Sequence, residues 1–212
     1  MTGHLTAAGY GEAEYEDKHS RFIARVKSVT TEAEAKAFIE EIRRKYADAT
    51  HHVYAYLLRE GGIVRFSDDG EPGGTSGQPT LSVLRGAGLT DVCCVTTRYF
   101  GGILLGSGGL VRAYSSAARL AVSAAGIERM TPWRKAAFAC SYGQYERLRR
   151  FLEDRGARVE ETSFGAEVQL VFSAPENQCE ALGEALFAAS AGSVEVHLGG
   201  TVFRGETAEE PK

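Results

Sequence analysis

Long apolar runs are missing from this chain. No stretch approaches the roughly 18–20 consecutive apolar residues that cross a bilayer, so no membrane partner is expected. The opening segment, MTGHLTAAGYGEAEYED, is acidic and has no apolar core. That excludes a secretory signal and leaves the cytoplasm as the expected compartment. Cysteine is scarce, four in 212 residues, and no C-x-x-C or Cys/His ligand spacing occurs. A zinc site and a disulfide framework are therefore not expected. Cys93 and Cys94 are neighbours in a predicted strand and must point to opposite faces. With Cys140 and Cys179 they read as small buried hydrophobes. A basic excess is also absent: 24 Lys+Arg stand against 28 Asp+Glu, for a net charge of −4. Coating nucleic acid by charge alone is excluded, though a local basic face is not.

What the chain has in quantity is glycine. Of 25 glycines, thirteen lie between Gly61 and Gly109, and nine of these fall in two loop segments, FSDDGEPGGTSGQP and TTRYFGGILLGSGGLVRAY. Glycine is selected where the backbone takes positive φ or another group must come close. Phe66, Arg98, Tyr99, Phe100 and Leu110 interleave with these glycines, unlike the composition of a flexible spacer. The two loops read as paired binding surfaces.

The chemistry of these loops is constrained by what they omit. Gly101 and Gly106 have Walker-type spacing, but Ser107 and Gly108 stand where Lys and Ser/Thr are required. No G-x-G-x-x-G occurs, because Val111 holds the third glycine's place. NTP hydrolysis and dinucleotide binding are not expected. Anion binding at the N-terminus of the helix from Gly109, with Arg98 and Arg112 nearby, remains one reading; a tight strand-to-helix turn beside a solvated arginine is the other. Asp68, Asp69 and Glu71 form an acidic knot whose spacing fits no EF-hand, and aspartates in such loops commonly bond adjacent backbone N–H groups. His51 and His52 are strand neighbours, so only one can face a given pocket. Each reads first as a structural or surface histidine. No serine sits in G-x-S-x-G, and no catalytic constellation is complete. Neither a metal nor a cofactor is expected, and catalysis is not favoured.

Periodicity gives the element order. Arg21 to Val29 alternates as a strand, and a capping-box pair, Thr31 and Glu34, opens a helix over 32–46 bearing Ala35, Phe38, Ile39 and Ile42. His51 to Leu58 and Gly62 to Ser67 read as a hairpin, Pro79 as the start of a short helix, and DVCCVTTRYF as a strand. The next helix is expected to pack through Leu110, Ala113, Ala117, Leu120 and Ala124, ending at Gly126. A boundary is expected around Pro132. Beyond it come strand 135–141, helix 144–155, strand 157–164, a turn at Gly165, strand 167–172, helix 175–189 and strand 194–203. That βαββαβ order is the ferredoxin-like arrangement. On the second domain's first helix, Arg147, Arg149, Arg150 and Arg155 interleave with acids as on a solvated face.

The two glycine segments resemble the signature of the Impact family in its bacterial YigZ/YvyE-like branch, in the same order and spacing. The signature spans about a quarter of the chain. The resemblance implies an α+β fold of two domains. The first (1–130) would be an α/β sandwich of the ribosomal protein S-five second-domain type. The second (131–206) would be ferredoxin-like and similar to a domain of elongation factor G, followed by a polar tail (207–212). It implies a setting in translation. The kinase-regulatory role of eukaryotic relatives depends on an additional N-terminal domain that is not expected here. The motif positions carried over are Asp68, Asp69, Gly70, Glu71, Pro72, Gly73, Thr75, Gly77 and Pro79, then Arg98, Tyr99, Gly101, Gly102, Gly106, Gly109, Leu110 and Tyr114. No catalytic residues come with them.

The expected function is non-enzymatic binding of RNA or ribonucleoprotein, the ribosome included, through both loops. Arg98 and Arg112 would pair with phosphates, and Tyr99 or Tyr114 would offer a stacking face. Two alternatives stand beside it. In one, the loops hold a phosphorylated small molecule or a divalent metal on Asp68, Asp69 and Glu71. In the other, the ferredoxin-like sheet docks a protein partner.

Overall fold

The structure is a computed structural model that describes residues 2–207. The part of the expected polar tail from residue 208 onward lies outside the described residues. Contacts divide the chain into two compact units, His4–Arg129 and a second one built on Met130–Gly205.

The first unit contains β1 (His4–Ala7), β2 (Gly11–Asp17), β3 (Ser20–Ser28), α1 (Glu32–Lys45), β4 (His51–Leu58), β5 (Ile63–Ser67), α2 (Gly77–Gly86), β6 (Val92–Tyr99) and α3 (Ser107–Ala125). Five strands form an antiparallel sheet in the order β2-β3-β6-β4-β5. Helices cover both faces. On one, α2 and α3 pack over Phe22, Val26, Val53, Ala55 and Cys94. On the other, α1 sets Phe38, Ile39 and Ile42 against Tyr56, Cys93 and Val95. Each of those three α1 side chains contributes about 2 kcal/mol of burial. Cys93 and Cys94 thus enter separate cores, as strand alternation requires.

The N-terminal segment that lacked an apolar core supplies two strands. In β2, Ala13 and Tyr15 pack against the α2–α3 core while Glu12, Glu14 and Glu16 face outward. The alternation is regular, but its outward half is all acidic, so the segment resembles a tail. Gly11 lets α3 approach: a Cβ there would overlap the backbone at Ala121 and Ala125. The face of α3 is also revised. Its buried residues include Leu110, Ala113, Tyr114, Ala117, Ala118, Ala121, Val122 and Ala125, whereas Leu120 and Ala124 are exposed. A wider helix stripe, about 100° or more, is needed to cover a sheet. The predicted cap of α1 forms, with Thr31 Oγ1 accepting from Glu34 N–H at 3.2 Å. The Glu34 carboxylate reaches one residue further back, to Thr30 N–H at 2.7 Å.

The second unit carries most of β7 (Ile127–Cys140), then α4 (Tyr142–Glu153), β8 (Arg158–Phe164), β9 (Val168–Pro175), α5 (Glu176–Ala189) and β10 (His197–Thr207). β7 runs unbroken through Pro132. Its strands lie in the order β10-β7-β9-β8, with β9 antiparallel to both β7 and β8. The fold is ferredoxin-like, with Leu148, Leu152, Cys179, Leu182 and Leu186 of the helices packed on Phe138, Leu170 and Phe172. At the start of α4, Gln144 Oε1 accepts from Ser141 N–H at 3.2 Å and from its hydroxyl at 2.9 Å. Among the described residues no helix is long and apolar enough to cross a membrane.

Candidate functional site

The site begins with one row across the sheet of the first unit. Strand register places Tyr15, Phe22, Arg98 and His51 side by side on β2, β3, β6 and β4. Neighbours in register share a face, so all four point to the side covered by α2 and α3. There Arg98 is buried, its guanidinium 5.2 Å from the Phe22 ring and 5.4 Å from the Phe100 ring. A buried guanidinium requires an anion, and the acidic-glycine loop brings one. Arg98 Nη1 donates to both oxygens of Glu71 at 2.7 and 2.9 Å. Tyr114, from the second turn of α3, donates its hydroxyl to Glu71 Oε1 at 2.7 Å. Burial, then the Glu71 charge, raises the Tyr114 pKa far above the ordinary phenol value, so it remains the donor.

The rest of the acidic loop is organised around its own backbone. The Asp68 carboxylate sits over the start of α2 and accepts from Gly74 N–H (2.8 Å), Ser76 N–H (3.1 Å), Ser76 Oγ (2.7 Å) and Gly77 N–H (2.8 Å). Burial pushes its pKa up, but these hydrogen bonds outweigh it and hold the group below the usual carboxylate range. Asp69 accepts from His52 N–H at 2.6 Å and pairs with Arg43 at 3.1 Å. The Asp69 carbonyl meets His51 Nδ1 at 2.8 Å. A carbonyl only accepts, so the His51 proton is on Nδ1 and Nε2 is left facing Glu71 Oε2 at 3.9 Å. Pro72 O takes the Thr75 hydroxyl at 2.6 Å.

These contacts correct the cation-holding reading. Asp68, Asp69 and Glu71 point three ways, at α2, at β4 with Arg43, and at Arg98. No group of three His, Cys, Asp or Glu among the described residues could hold a metal ion. Two RNA-facing roles are corrected as well. Arg98 and Tyr114 are buried on Glu71 and present neither a surface cation nor a stacking face. Tyr99, one residue past Arg98, turns to the opposite face and donates to Asp48 at 3.1 Å.

The second loop closes over this arrangement. Gly101 N–H donates to Ser20 Oγ at 3.1 Å, and a Cβ there would overlap the backbone of His19 and Ser20. Gly106, at φ 72°, precedes α3. Between them the loop exposes apolar side chains: Phe100 is 45% exposed, Ile103 46% and Leu104 82%. Arg112 is exposed, with Nη1 lying 3.8 Å from where a Cβ on Gly108 would stand, over the first turn of α3. Lys18 Nζ donates to Leu104 O at 3.4 Å.

Between the two loops lies a cleft of about 430 Å³. His51, Glu71 and Arg98 line its polar part, and Pro72, Phe100 and Leu104 its apolar part. Gly70, Gly106, Ser107 and Leu110 also border it. Of the motif positions, Thr75, Gly77 and Pro79 are buried in loop and helix packing, and Gly73, Tyr99, Gly101, Gly102, Gly109, Arg112 and Tyr114 lie outside the cleft lining. His51 and Phe100 were underrated by sequence. Register with Arg98 finds the first, and its place directly before Gly101 and Gly102 marks the second.

Known proteins share this arrangement of sequence. A profile of the Impact N-terminal domain matches residues 18–122, and one of a domain of unknown function, DUF1949, matches residues 138–193. IMPACT family member YvyE of Bacillus subtilis strain 168 is 34% identical over 185 residues, 87% of this chain and 85% of that protein. IMPACT family member YigZ of Escherichia coli K12 is 34% identical over 184 residues, 85% of this chain and 90% of that protein. A solved structure described as that of an hypothetical protein superposes with a TM-score of 0.65 at 33% identity, covering 92% of this chain and 97% of that one. With such identity along nearly its whole length, the chain belongs to the Impact family.

Proposed function

We propose that the chain is a translation-associated, non-enzymatic protein that binds RNA by taking one unpaired nucleotide unit into the cleft between the glycine loops. The observation that carries this reading is the placement of exposed Phe100 across from the N-terminal turn of α3, around a polar floor whose charges already cancel. A base stacks on an aromatic ring regardless of its identity. The free backbone N–H groups at Ser107 and Gly108, with Arg112 beside them, suit a phosphate. The neutral Glu71–Arg98 pair adds little net field, consistent with a limited contact by a chain of net charge −4. The setting in translation rests on the family resemblance, and the natural partner would be RNA or a ribonucleoprotein such as the ribosome.

Anisotropy titration of a labelled single-stranded RNA tests it. Phe100→Ala should weaken binding roughly fivefold to hundredfold, the equivalent of about 1–3 kcal/mol of stacking. Arg112→Ala should lower the slope of log affinity against log salt by about one. Unchanged binding in both variants sinks the reading.

A second reading has its own support. The cleft volume falls in the roughly 300–1,000 Å³ range of small-molecule sites, so a phosphorylated metabolite fits the same groups. Thermal-shift titration with nucleotides and sugar phosphates distinguishes it, because a ligand raises Tm according to its concentration relative to its affinity.

A further inference from the structure

Helix α5 presents two stripes. Cys179, Leu182 and Leu186 are buried in the ferredoxin-like core. The neighbouring stripe, Glu180, Gly183, Glu184 and Phe187 at i, i+3, i+4 and i+7, borders a groove of about 400 Å³ with Glu195, Val196 and Leu198 on its far side. The groove is apolar inside and acidic at its rim. Phe187 is 53% exposed and Leu198 40%. Glu184 and Glu195 have no cationic partner among the described residues, and Glu180, with its side chain 74% exposed, reaches Arg134 only at 3.6 Å.

Gly183 is the informative position. Glycine inside a helix costs stability relative to alanine. A Cβ here would stand 3.6 Å from Val196 Cβ and Cγ1, an ordinary contact distance. Packing does not demand the glycine. What the missing side chain does is keep the groove open.

The occupant is set by charge and by the neighbouring strand. An acidic rim around exposed aliphatic and aromatic carbon fits a chain that alternates cationic and aliphatic side chains. The C-terminal sequence GETAEEPK carries three glutamates, Glu206, Glu209 and Glu210, against one lysine, so its composition does not complement an acidic rim. Beside the groove, β10 pairs only with β7 among the described residues, so its other edge offers backbone groups to an extended peptide. We infer that this groove docks a short, extended peptide in which lysine or arginine alternates with aliphatic residues.

The test uses a fluorescein-labelled peptide of alternating leucine and lysine, titrated into the full chain, beside the same peptide with glutamate in place of lysine. The lysine peptide should saturate near micromolar concentration and weaken with salt, and the glutamate peptide should not bind. Gly183→Leu fills the groove, and Glu184→Lys with Glu195→Lys reverses its rim; each should lower affinity by about tenfold or more. The charge-reversal pair lies on the surface, so the test survives even if Gly183→Leu perturbs the fold. Phe100→Ala should leave peptide binding unchanged, which separates this site from the RNA cleft. The inference is overturned if the lysine peptide does not saturate, if the variants bind it as tightly as the parent, or if Phe100→Ala abolishes its binding. It is equally overturned if sedimentation shows the groove closed by a second copy of the chain.

Discussion

Tyr114 donates its hydroxyl to Glu71 at 2.7 Å and so ties helix α3 to a loop 43 positions earlier. The same carboxylate oxygen receives Arg98 at 2.7 Å. Removing the hydroxyl and removing the charge should therefore differ in cost. Glu71→Gln leaves a buried guanidinium without its counter-charge and should destabilise by about 3–5 kcal/mol. Tyr114→Phe deletes one charge-assisted hydrogen bond and should cost roughly 1.5–3 kcal/mol. Urea midpoints of the two variants give the order. An equal or reversed order would show that Arg98 does not depend on Glu71.

Asp68 makes stability depend on acid. Its folded-state pKa lies below the unfolded value of about 3.9. The stabilisation is therefore present above that value and lost as pH falls through the lower folded-state pKa. At neutral pH, Asp68→Asn should cost about 0.5–2 kcal/mol, the range for loss of a helix cap. The gap between variant and parent should close at strongly acid pH. A gap of constant size from neutral to strong acid contradicts the assigned role.

The thiols should be silent in the native state. All four cysteines are buried and free, and burial pushes the Cys94 thiol up to about 12 and raises Cys93 as well. Reaction with a thiol reagent at neutral pH should be slow in buffer and complete in denaturant, since only the thiolate attacks. Rapid labelling of the native chain would place a cysteine at the surface.

The motif glycines should separate by mechanism. Gly101→Ala forces a methyl into the His19–Ser20 backbone and should cost at least about 2 kcal/mol. Gly102 has φ 83° with open space around it, so Gly102→Ala should cost roughly 1 kcal/mol. Gly73 has neither positive φ nor a neighbour within 4 Å, and Gly73→Ala should raise stability by about 0.4–1 kcal/mol. Thermal melts of the three variants check the ranking, and a costly Gly73→Ala breaks it.

Much of the architecture was legible because its residues obey simple periods. Alternation sent Cys93 and Cys94 to different cores, and the Thr31 and Glu34 spacing marked the start of α1. The βαββαβ order of the second unit followed from helical and strand periods in turn. β2 was not legible, because an acidic outer face hides a half-buried strand. The motif announced a site, but the roles of its members were misread where chemistry and burial conflict. An arginine beside glycines resembles a phosphate clamp, yet strand parity puts Arg98 with Cys94 and Thr96 on the covered face. Its partner comes from a loop whose path no local pattern encodes. Strand parity alone does not place Phe100; its position before Gly101 and Gly102 marks it, and its exposure follows from the outward turn of the second loop.

Ser20 Oγ accepts from both Arg98 Nη2, at 3.3 Å, and Gly101 N–H, at 3.1 Å. Through that hydroxyl and Glu71, the first residue of β3, the acidic loop, the end of β6 and the second turn of α3 are joined to one guanidinium. Segments far apart in sequence should then open as a single event. Native-state hydrogen exchange should give the amides of Gly74, Ser76 and Gly101 a common opening free energy, and Arg98→Lys should lower all three together. The two glycine loops thus form one mechanical element hinged on a buried arginine.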